Sequence, residues 1–190
     1  MTSAARSNAS VDGPGTDSGT EDRPFPERFV ELFDAHFGRL FRYLNRLSGD
    51  SDLAADLTQE AFIRLFHRGA MPDVPSAWLV SCAMNLLRNS QTTAGRRHRL
   101  LTVARGEHAH SDPAPSAAEA VSRQSTRQRV RAAIERLPER DRHLLLLRAE
   151  GFSYREIAAA LDLHEASVGT LLARARGAFR DSYGSSSDEA

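Results

Sequence analysis

Hydrophobic positions along the first part of the chain recur at the three- and four-residue steps of an amphipathic helix. This spacing begins at Phe25 and continues to Leu47, and the segment Ser48-Gly49-Asp50 ends it. It resumes after Asp52, a predicted N-cap, and again after Ser76, which is predicted to open a third helix. No stretch follows the two-residue period of a strand. The pattern therefore predicts a helical bundle.

The helical spacing is lost over residues 91–126, where Arg, Gly, His, Pro and Ala predominate, and returns near Ala118 or Arg127. Such a composition is typical of a flexible linker. Residues 1–24 are rich in Ser, Gly, Thr, Asp and Pro and have almost no large apolar residues, which is typical of disorder. The predicted organisation is a disordered tail over 1–24, a helical domain over 25–90, a flexible linker over 91–126, a second helical domain over 127–180 and a disordered tail over 181–190.

The second domain ends in two helices around a short turn. A longer helix is predicted to end at Gly151, Ser153 to cap a short helix, and a last helix to run from about Glu165 to Phe179. This arrangement is a helix-turn-helix, whose last helix enters the major groove of duplex DNA. A purely protein-binding module stays open. The fold class is therefore predicted to be all-α, with two small helical domains joined by a flexible linker, the second a helix-turn-helix.

Charge is distributed unevenly although the net charge is zero, and every basic residue is arginine. Residues 1–66 contain 7 arginines and 11 carboxylates, residues 67–110 contain 6 and 2, and residues 127–180 contain 11 and 7. A high-GC genome also explains arginine in place of lysine, but it does not explain the segregation. Two basic stretches fit two contacts with nucleic acid, and the acidic stretch is left for another partner.

The sequence offers no sign of enzymatic chemistry. The single cysteine, Cys82, excludes an internal disulfide and a cysteine-rich zinc site, and packing is its expected role. We predict no catalytic residue, no metal site and no cofactor. No apolar run approaches the length of a membrane span, and the N-terminus lacks a signal-peptide core. We therefore expect a cytoplasmic protein without membrane insertion that is not an enzyme.

The helix-turn-helix is where a family resemblance first becomes specific. The segments Leu137–Arg142 and Gly151–Ala158 resemble the fourth conserved region of extracytoplasmic-function (ECF) sigma factors, which reads the promoter −35 element. Gly169-Thr170-Leu171 departs from the basic residues that many members have there, which indicates a weaker or differently distributed −35 contact. The residues expected at the −35 duplex are Tyr154, Arg155, His164, Glu165, Ser167, Thr170, Arg174 and Arg176, with the last two suited to phosphates.

The second predicted helix resembles the part of the same family that binds the clamp helices of the polymerase β′ subunit. The matching segment is Asp56–Phe62, DLTQEAF in the sequence. The resemblance implies that Asp56, Leu57, Gln59 and Glu60 bind polymerase. Acids and an amide at helical spacing suit arginines on a partner coiled coil, although an ordinary solvated acidic face would have the same composition.

The third predicted helix resembles the family's Trp-Leu helix with spaced polar residues. By this resemblance, the helix and the loop before it bind the melted non-template strand of the −10 element. Asparagine amides can bond to the edges of unstacked bases, and arginines can follow the backbone. Core packing is the alternative role of the tryptophan. The residues implied are Trp78, Asn85, Arg88, Asn89, Arg96 and Arg97.

Together the resemblances imply a sigma factor that binds core RNA polymerase and directs transcription initiation at promoter DNA. A covering anti-sigma factor is an expected further partner. Two alternatives stay open from the residues alone. One is a stand-alone helix-turn-helix regulator, and the other is a sigma-like interaction module without promoter activity.

Overall fold

The computed structural model describes residues 23–98 and 117–185, and the side chains of 23–90 and 124–185. All regular structure in these residues is helical, which confirms the predicted all-α class. The expected tails and linker over 1–22, 99–116 and 186–190 lie outside the described residues. The helices are α1 (Phe25–Ser48), α2 (Ser51–Arg68), α3 (Pro75–His98), α4 (Ala117–Glu135), α5 (Glu139–Ala149), α6 (Tyr154–Leu161) and α7 (Glu165–Ser185).

The first three helices form one bundle in which α1 packs along α2 and α3. Aromatic rings line the contact between α1 and α2. The ring centroids of Phe33 and Phe62 are 5.1 Å apart, and those of Phe29 and Phe66 are 5.3 Å apart. These are ordinary distances for edge-to-face pairs, so the phenylalanines of the predicted stripe hold the two helices together.

The junction between α1 and α2 depends on Gly49 and Asp50. Gly49 adopts a left-handed conformation (φ 71°) and donates its N–H to Asn45 O at 2.9 Å, which closes α1. The Asp50 carboxylate accepts from the backbone N–H groups of Asp52 and Leu53 at 3.1 and 3.0 Å. The predicted N-cap Asp52 is therefore wrong, because Asp50 reaches both free donors.

The last four helices form the second bundle, with α7 packed against α4, α5 and α6. Helices α3 and α4 both extend into the stretch expected to be a linker, and α7 continues beyond residue 180 into the expected tail. The end of α7 is held on α4: the Arg129 guanidinium lies 4.8 Å from the Tyr183 ring centre, and the Ser182 hydroxyl donates to Ala133 O at 3.2 Å. These contacts explain the longer helix.

The two bundles pack against each other, α5 on α1 and α6 on α3. Their buried side chains join in one continuous apolar core that includes Leu44 and Val80 of the first bundle and Leu147 and Ile157 of the second. The sequence pattern predicted two domains but not this contact. Within the described residues, no helix is long and apolar enough to cross a membrane.

Candidate functional site

The helix-turn-helix consists of α6, a short turn and α7. A capping box starts α6: Ser153 Oγ accepts from Glu156 N at 3.2 Å, and Glu156 Oε2 accepts from Ser153 N at 2.7 Å. Asp162 ends α6 in a left-handed conformation (φ 54°), which turns the chain toward α7. Ile157 and Ala158 are buried, and the small Ala158 permits close approach of the crossing helices.

Helix α7 buries one stripe and exposes the rest of its surface. Val168, Leu172 and Ala175 are buried against the bundle. Helical spacing places Ser167, Thr170 and Arg174 together on one exposed face, beside His164 at the N-terminal end. Glu165 and Arg176 lie on the other side of the buried stripe. The residues predicted for the −35 duplex are all exposed, namely Tyr154, Arg155, His164, Glu165, Ser167, Thr170, Arg174 and Arg176.

Gly169 lies next to the ring of Tyr154. A Cβ at position 169 would come 3.5 Å from Tyr154 Cε2, an ordinary contact distance. On another side the ring faces the Arg148 guanidinium, 5.7 Å from the ring centre. A long basic side chain at position 169 would have to pass this ring. The departure at Gly169-Thr170-Leu171 thus lies next to an exposed tyrosine.

Helix α3 presents three of its predicted DNA-binding residues, Trp78, Asn85 and Asn89, along one face. Trp78 is half-buried, so part of its indole packs against the core. The Arg68 guanidinium lies 6.0 Å from its ring centre. Asn85 and Asn89 are exposed and share this face with Trp78 by helical spacing. Arg96 and Arg97 occupy the last turns of α3, and their side chains lie outside the described ones.

Arg88 is oriented differently from the other predicted DNA-binding residues of α3. Its guanidinium donates to Glu139 Oε1 of α5 at 3.0 Å, and both side chains are largely exposed. Arg88 and His143 together hold the pKa of Glu139 below its usual value, mainly through hydrogen bonds to the carboxylate. In this structure, Arg88 therefore contacts the second bundle.

The predicted polymerase-binding residues lie on α2. Asp56 and Gln59 are exposed, and Glu60 pairs with Arg64 of the same helix at 2.7 Å. Leu57 is only 7% exposed and belongs to the core. The predicted contact of Leu57 with polymerase stays a prediction. Leu57 holds α2 in place so that its neighbours face outward.

Sequence reasoning missed an exposed apolar patch beside these residues. The patch consists of Val30 and Phe33 of α1 with Ile63 and Phe66 of α2, which are 57%, 38%, 42% and 56% exposed. By helical spacing, Ile63 lies on the same face of α2 as Asp56 and Gln59. Phe33, Ile63 and Phe66 follow the same helical spacing as the buried residues, and periodicity alone cannot separate core positions from an exposed apolar edge. Patches of this kind mark interaction surfaces.

A second missed set of residues joins the two bundles. Tyr43 and His143 are both buried, and the Tyr43 hydroxyl lies 2.6 Å from His143 Nδ1. Burial lowers the pKa of His143 and raises that of Tyr43 far above its usual value. Glu139 Oε1 lies 3.5 Å from His143 Nε2 and can only accept when ionised, which favours the tautomer with the proton on Nε2 and with Nδ1 accepting from Tyr43. No sequence signal links positions so far apart.

Comparison with known families and proteins gives matches over both bundles. The family model for sigma-70 region 2 matches residues 32–97, and the model for sigma-70 region 4 matches residues 127–179. The chain is 32% identical to the ECF RNA polymerase sigma factor SigE of Mycolicibacterium smegmatis, over 90% of this chain and 67% of that protein. It is 33% identical to the RNA polymerase sigma-H factor of Pseudomonas aeruginosa, over 69% of this chain and 73% of that protein.

A solved structure has the same fold. It is the sigma factor RpoE of Bartonella quintana, crystallised with the anti-sigma factor NepR, and it matches with a TM-score of 0.59. The match covers 82% of this chain and 96% of that one at 21% sequence identity. A stand-alone helix-turn-helix regulator would not account for the region 2 match.

Proposed function

Since this chain belongs to the ECF sigma factors of the sigma-70 family, which direct transcription initiation, we propose that α2 docks it on core RNA polymerase while α3 engages the −10 element and α7 the −35 element. The protein itself performs no chemistry, because nucleotide addition belongs to the core enzyme. It acts where the polymerase acts, in the cytoplasm. An anti-sigma factor is the expected regulatory partner, as for other members of the family.

The exposed face of α2 is the observation that best supports polymerase docking. Asp56 and Gln59 offer a carboxylate and an amide, and the apolar patch of Val30, Phe33, Ile63 and Phe66 lies directly beside them. A polar stripe next to an apolar patch is complementary to a partner helix that has arginines along one face and aliphatic side chains along the adjacent face. Clamp helices of the β′ subunit are a coiled coil that such a surface can hold.

Promoter contact is assigned to the exposed polar residues of α3 and α7. Trp78, Asn85 and Asn89 form one face for an unstacked single strand, and Arg96 and Arg97 extend the same helix for backbone contact. On α7, Ser167 and Thr170 are placed for base edges and Arg174 for a phosphate. Because Gly169-Thr170-Leu171 stands where many members of the family have basic residues, we expect −35 affinity to depend mainly on phosphates.

Binding to core polymerase tests the docking proposal. Asp56→Arg reverses an exposed charge, so the fold should persist while the dissociation constant for core rises about tenfold or more. Ile63→Ser should weaken binding independently through the apolar patch. Asp181→Arg makes the same reversal on an exposed carboxylate of α7 and serves as the matched control. Equal affinity of all three variants and the wild type would contradict docking through α2.

A further inference from the structure

A cavity between the two bundles is lined mainly by arginines. Its volume of about 640 Å³ falls within the range of about 300–1,000 Å³ that is usual for small-molecule sites. The residues that line it come from the end of α1, from α4 and from α5. Those that carry a positive charge are Arg42, Arg46, Arg127, Arg131 and Arg142.

Two of these helices present their arginines as pairs one turn apart. Arg42 and Arg46 lie at positions i and i+4 of α1, and Arg127 and Arg131 lie at positions i and i+4 of α4. Like charges at this spacing repel each other. Because both pairs line one cavity, an anion held there interacts favourably with both helices at once.

The carboxylates around the cavity are fewer than the arginines. Glu150 pairs with the two arginines of α1, since Arg42 Nε and Arg46 Nη1 lie 2.7 Å from its two oxygens. Glu135 is the one carboxylate among the described residues that line the cavity, and it pairs with Arg131 at 2.9 Å. Both side chains of this pair are more than half exposed, at 54% and 58%. An exposed pair contributes little to stability, so an incoming anion can take the place of the Glu135 carboxylate.

Arg142 contributes a guanidinium that is already held in position. Its Nη2 donates to the backbone oxygens of Glu135 and Leu137 at 2.8 and 3.2 Å, which fixes the group at the end of α4. Its Nε is buried and has no hydrogen-bond partner among the described residues. A group that is fixed before a ligand arrives loses little conformational freedom on binding it.

The other residues of the lining give the cavity an apolar part. Leu47, Val130 and Ile134 are partly buried apolar residues, and Asn45 and Thr126 add an amide and a hydroxyl. Guanidinium groups bind phosphate oxygens in a bidentate manner, whereas an apolar surface suits the face of a planar ring. An inorganic anion would contact the arginines alone, but a molecule with phosphates and a ring system contacts the whole lining.

We propose that this cavity binds a nucleoside polyphosphate, with its phosphates between the paired arginines of α1 and α4 and its base on Leu47, Val130 and Ile134. The site is separate from the surfaces proposed for polymerase and promoter, because none of the described residues that line it belongs to α2, α3 or α7. A concave site of this size also suits a compact ligand better than the backbone of a nucleic acid duplex. The inference goes beyond the proposed function and does not depend on it.

Calorimetric titration of the free full-length protein with ADP and with GDP tests the proposal, at about 0.15 M salt. We expect one nucleotide to bind per protein, and ADP and GDP to bind with similar affinity, because apolar residues contact the face of either base. Pyrophosphate lacks the base and should bind about tenfold more weakly or less. Adenosine lacks the phosphates and should show no saturable binding.

Two sets of variants change arginines on different helices. Arg127→Gln with Arg131→Gln removes the pair on α4 and should weaken ADP binding about tenfold or more. Arg42→Lys with Arg46→Lys keeps the positive charges beside Glu150 but removes the planar forks, so it should weaken ADP binding about threefold or more. The two sets are independent, so a folding defect in one does not remove the test.

Arg64→Gln is the matched control. Arg64 is 51% exposed and pairs with Glu60 at 2.7 Å in α2, much as Arg131 is 54% exposed and pairs with Glu135 at 2.9 Å in α4. Both residues belong to exposed i,i+4 pairs, but only Arg131 lines the cavity. Arg64→Gln should therefore leave the affinity for ADP unchanged.

Three results would overturn the proposal. The first is that neither nucleotide shows saturable binding, and the second is that Arg64→Gln weakens ADP binding as much as the double variant of α4. The third is that pyrophosphate, or a DNA duplex of unrelated sequence at the same phosphate concentration, binds as tightly as ADP, because the arginines would then bind phosphates in general. Since no polymerase is present, failure of this site and failure of the proposed sigma-factor function are distinguishable.

Discussion

The hydrogen bond between Tyr43 and His143 provides a quantitative test of the domain interface. The two side chains come from α1 and α5, and both are buried, at 0% and 6% exposure. The hydroxyl-to-Nδ1 distance is 2.6 Å, and the other ring nitrogen has only a 3.5 Å contact with Glu139. Tyr43→Phe removes the hydroxyl and leaves the aromatic ring, so the change isolates this bond.

Two costs contribute to the expected loss of stability. The hydrogen bond itself is lost, and the Nδ1 of His143 is left buried without a hydrogen-bond donor. Leaving a buried polar atom unsatisfied costs about 1–3 kcal/mol, so Tyr43→Phe should lower the free energy of unfolding by that amount. His143→Leu should cost a similar amount, because the Tyr43 hydroxyl is then unsatisfied.

A double-mutant cycle measured by urea unfolding separates this bond from general packing effects. In Tyr43→Phe with His143→Leu, neither polar partner remains, so the combined loss should be smaller than the sum of the single losses by about 1 kcal/mol or more. Additivity within about 0.5 kcal/mol would refute the reasoning, since it would mean that the two side chains do not interact.

Three further results are expected from thermal and chemical unfolding. Ser153→Ala removes the Oγ acceptor of the α6 capping box and should destabilise the protein by about 1 kcal/mol, whereas Ser185→Ala, at the exposed end of α7, should have little effect. Gly49→Ala places a side chain at a φ of 71° and against the Arg131 guanidinium, so it should cost about 1 kcal/mol or more; an unchanged midpoint would contradict the cap. Burial lowers the pKa of both His36 and His143. Near His143, Glu139 opposes this shift, whereas Arg88 and Arg142 add to it. The unfolded chain therefore binds more protons than the folded protein below the ordinary histidine pKa of 6.5. Stability should therefore fall as pH drops from 6.5 toward 5, where the carboxylates with lowered pKa are still ionised, and a flat profile would contradict this assignment.

Helical periodicity predicted the elements well because most apolar positions have one clear role. Ile157, Val168 and Leu172 are buried in the helix-turn-helix as their spacing indicates, and Ser153 caps α6 as its position predicts. The rule failed at the start of α2, where Asp50 caps the helix in place of the predicted Asp52. It also ended α7 too early, because the last residues of α7 continue no apolar stripe and are held in place by contacts with α4.

The candidate surfaces were harder to predict than the helices. Asp56 and Gln59 are exposed and Leu57 beside them is buried, as helical spacing indicates, and their contacts with polymerase stay predictions. Phe66 shows the opposite case, an apolar residue that the core leaves exposed. The ion pairs of Glu150 with Arg42 and Arg46 could not be predicted. The two arginines lie more than a hundred positions away in the sequence, and their spacing is also that of an ordinary solvated helix face.

The most direct test of the central assignment is transcription by core RNA polymerase reconstituted with the full-length protein on genomic DNA, with the 5′ ends of the transcripts sequenced. The account predicts discrete starts that share upstream −10 and −35 elements, and their loss with Asp56→Arg. Binding of the protein to operator DNA without polymerase, combined with no new start sites in the reconstituted reaction, would contradict it.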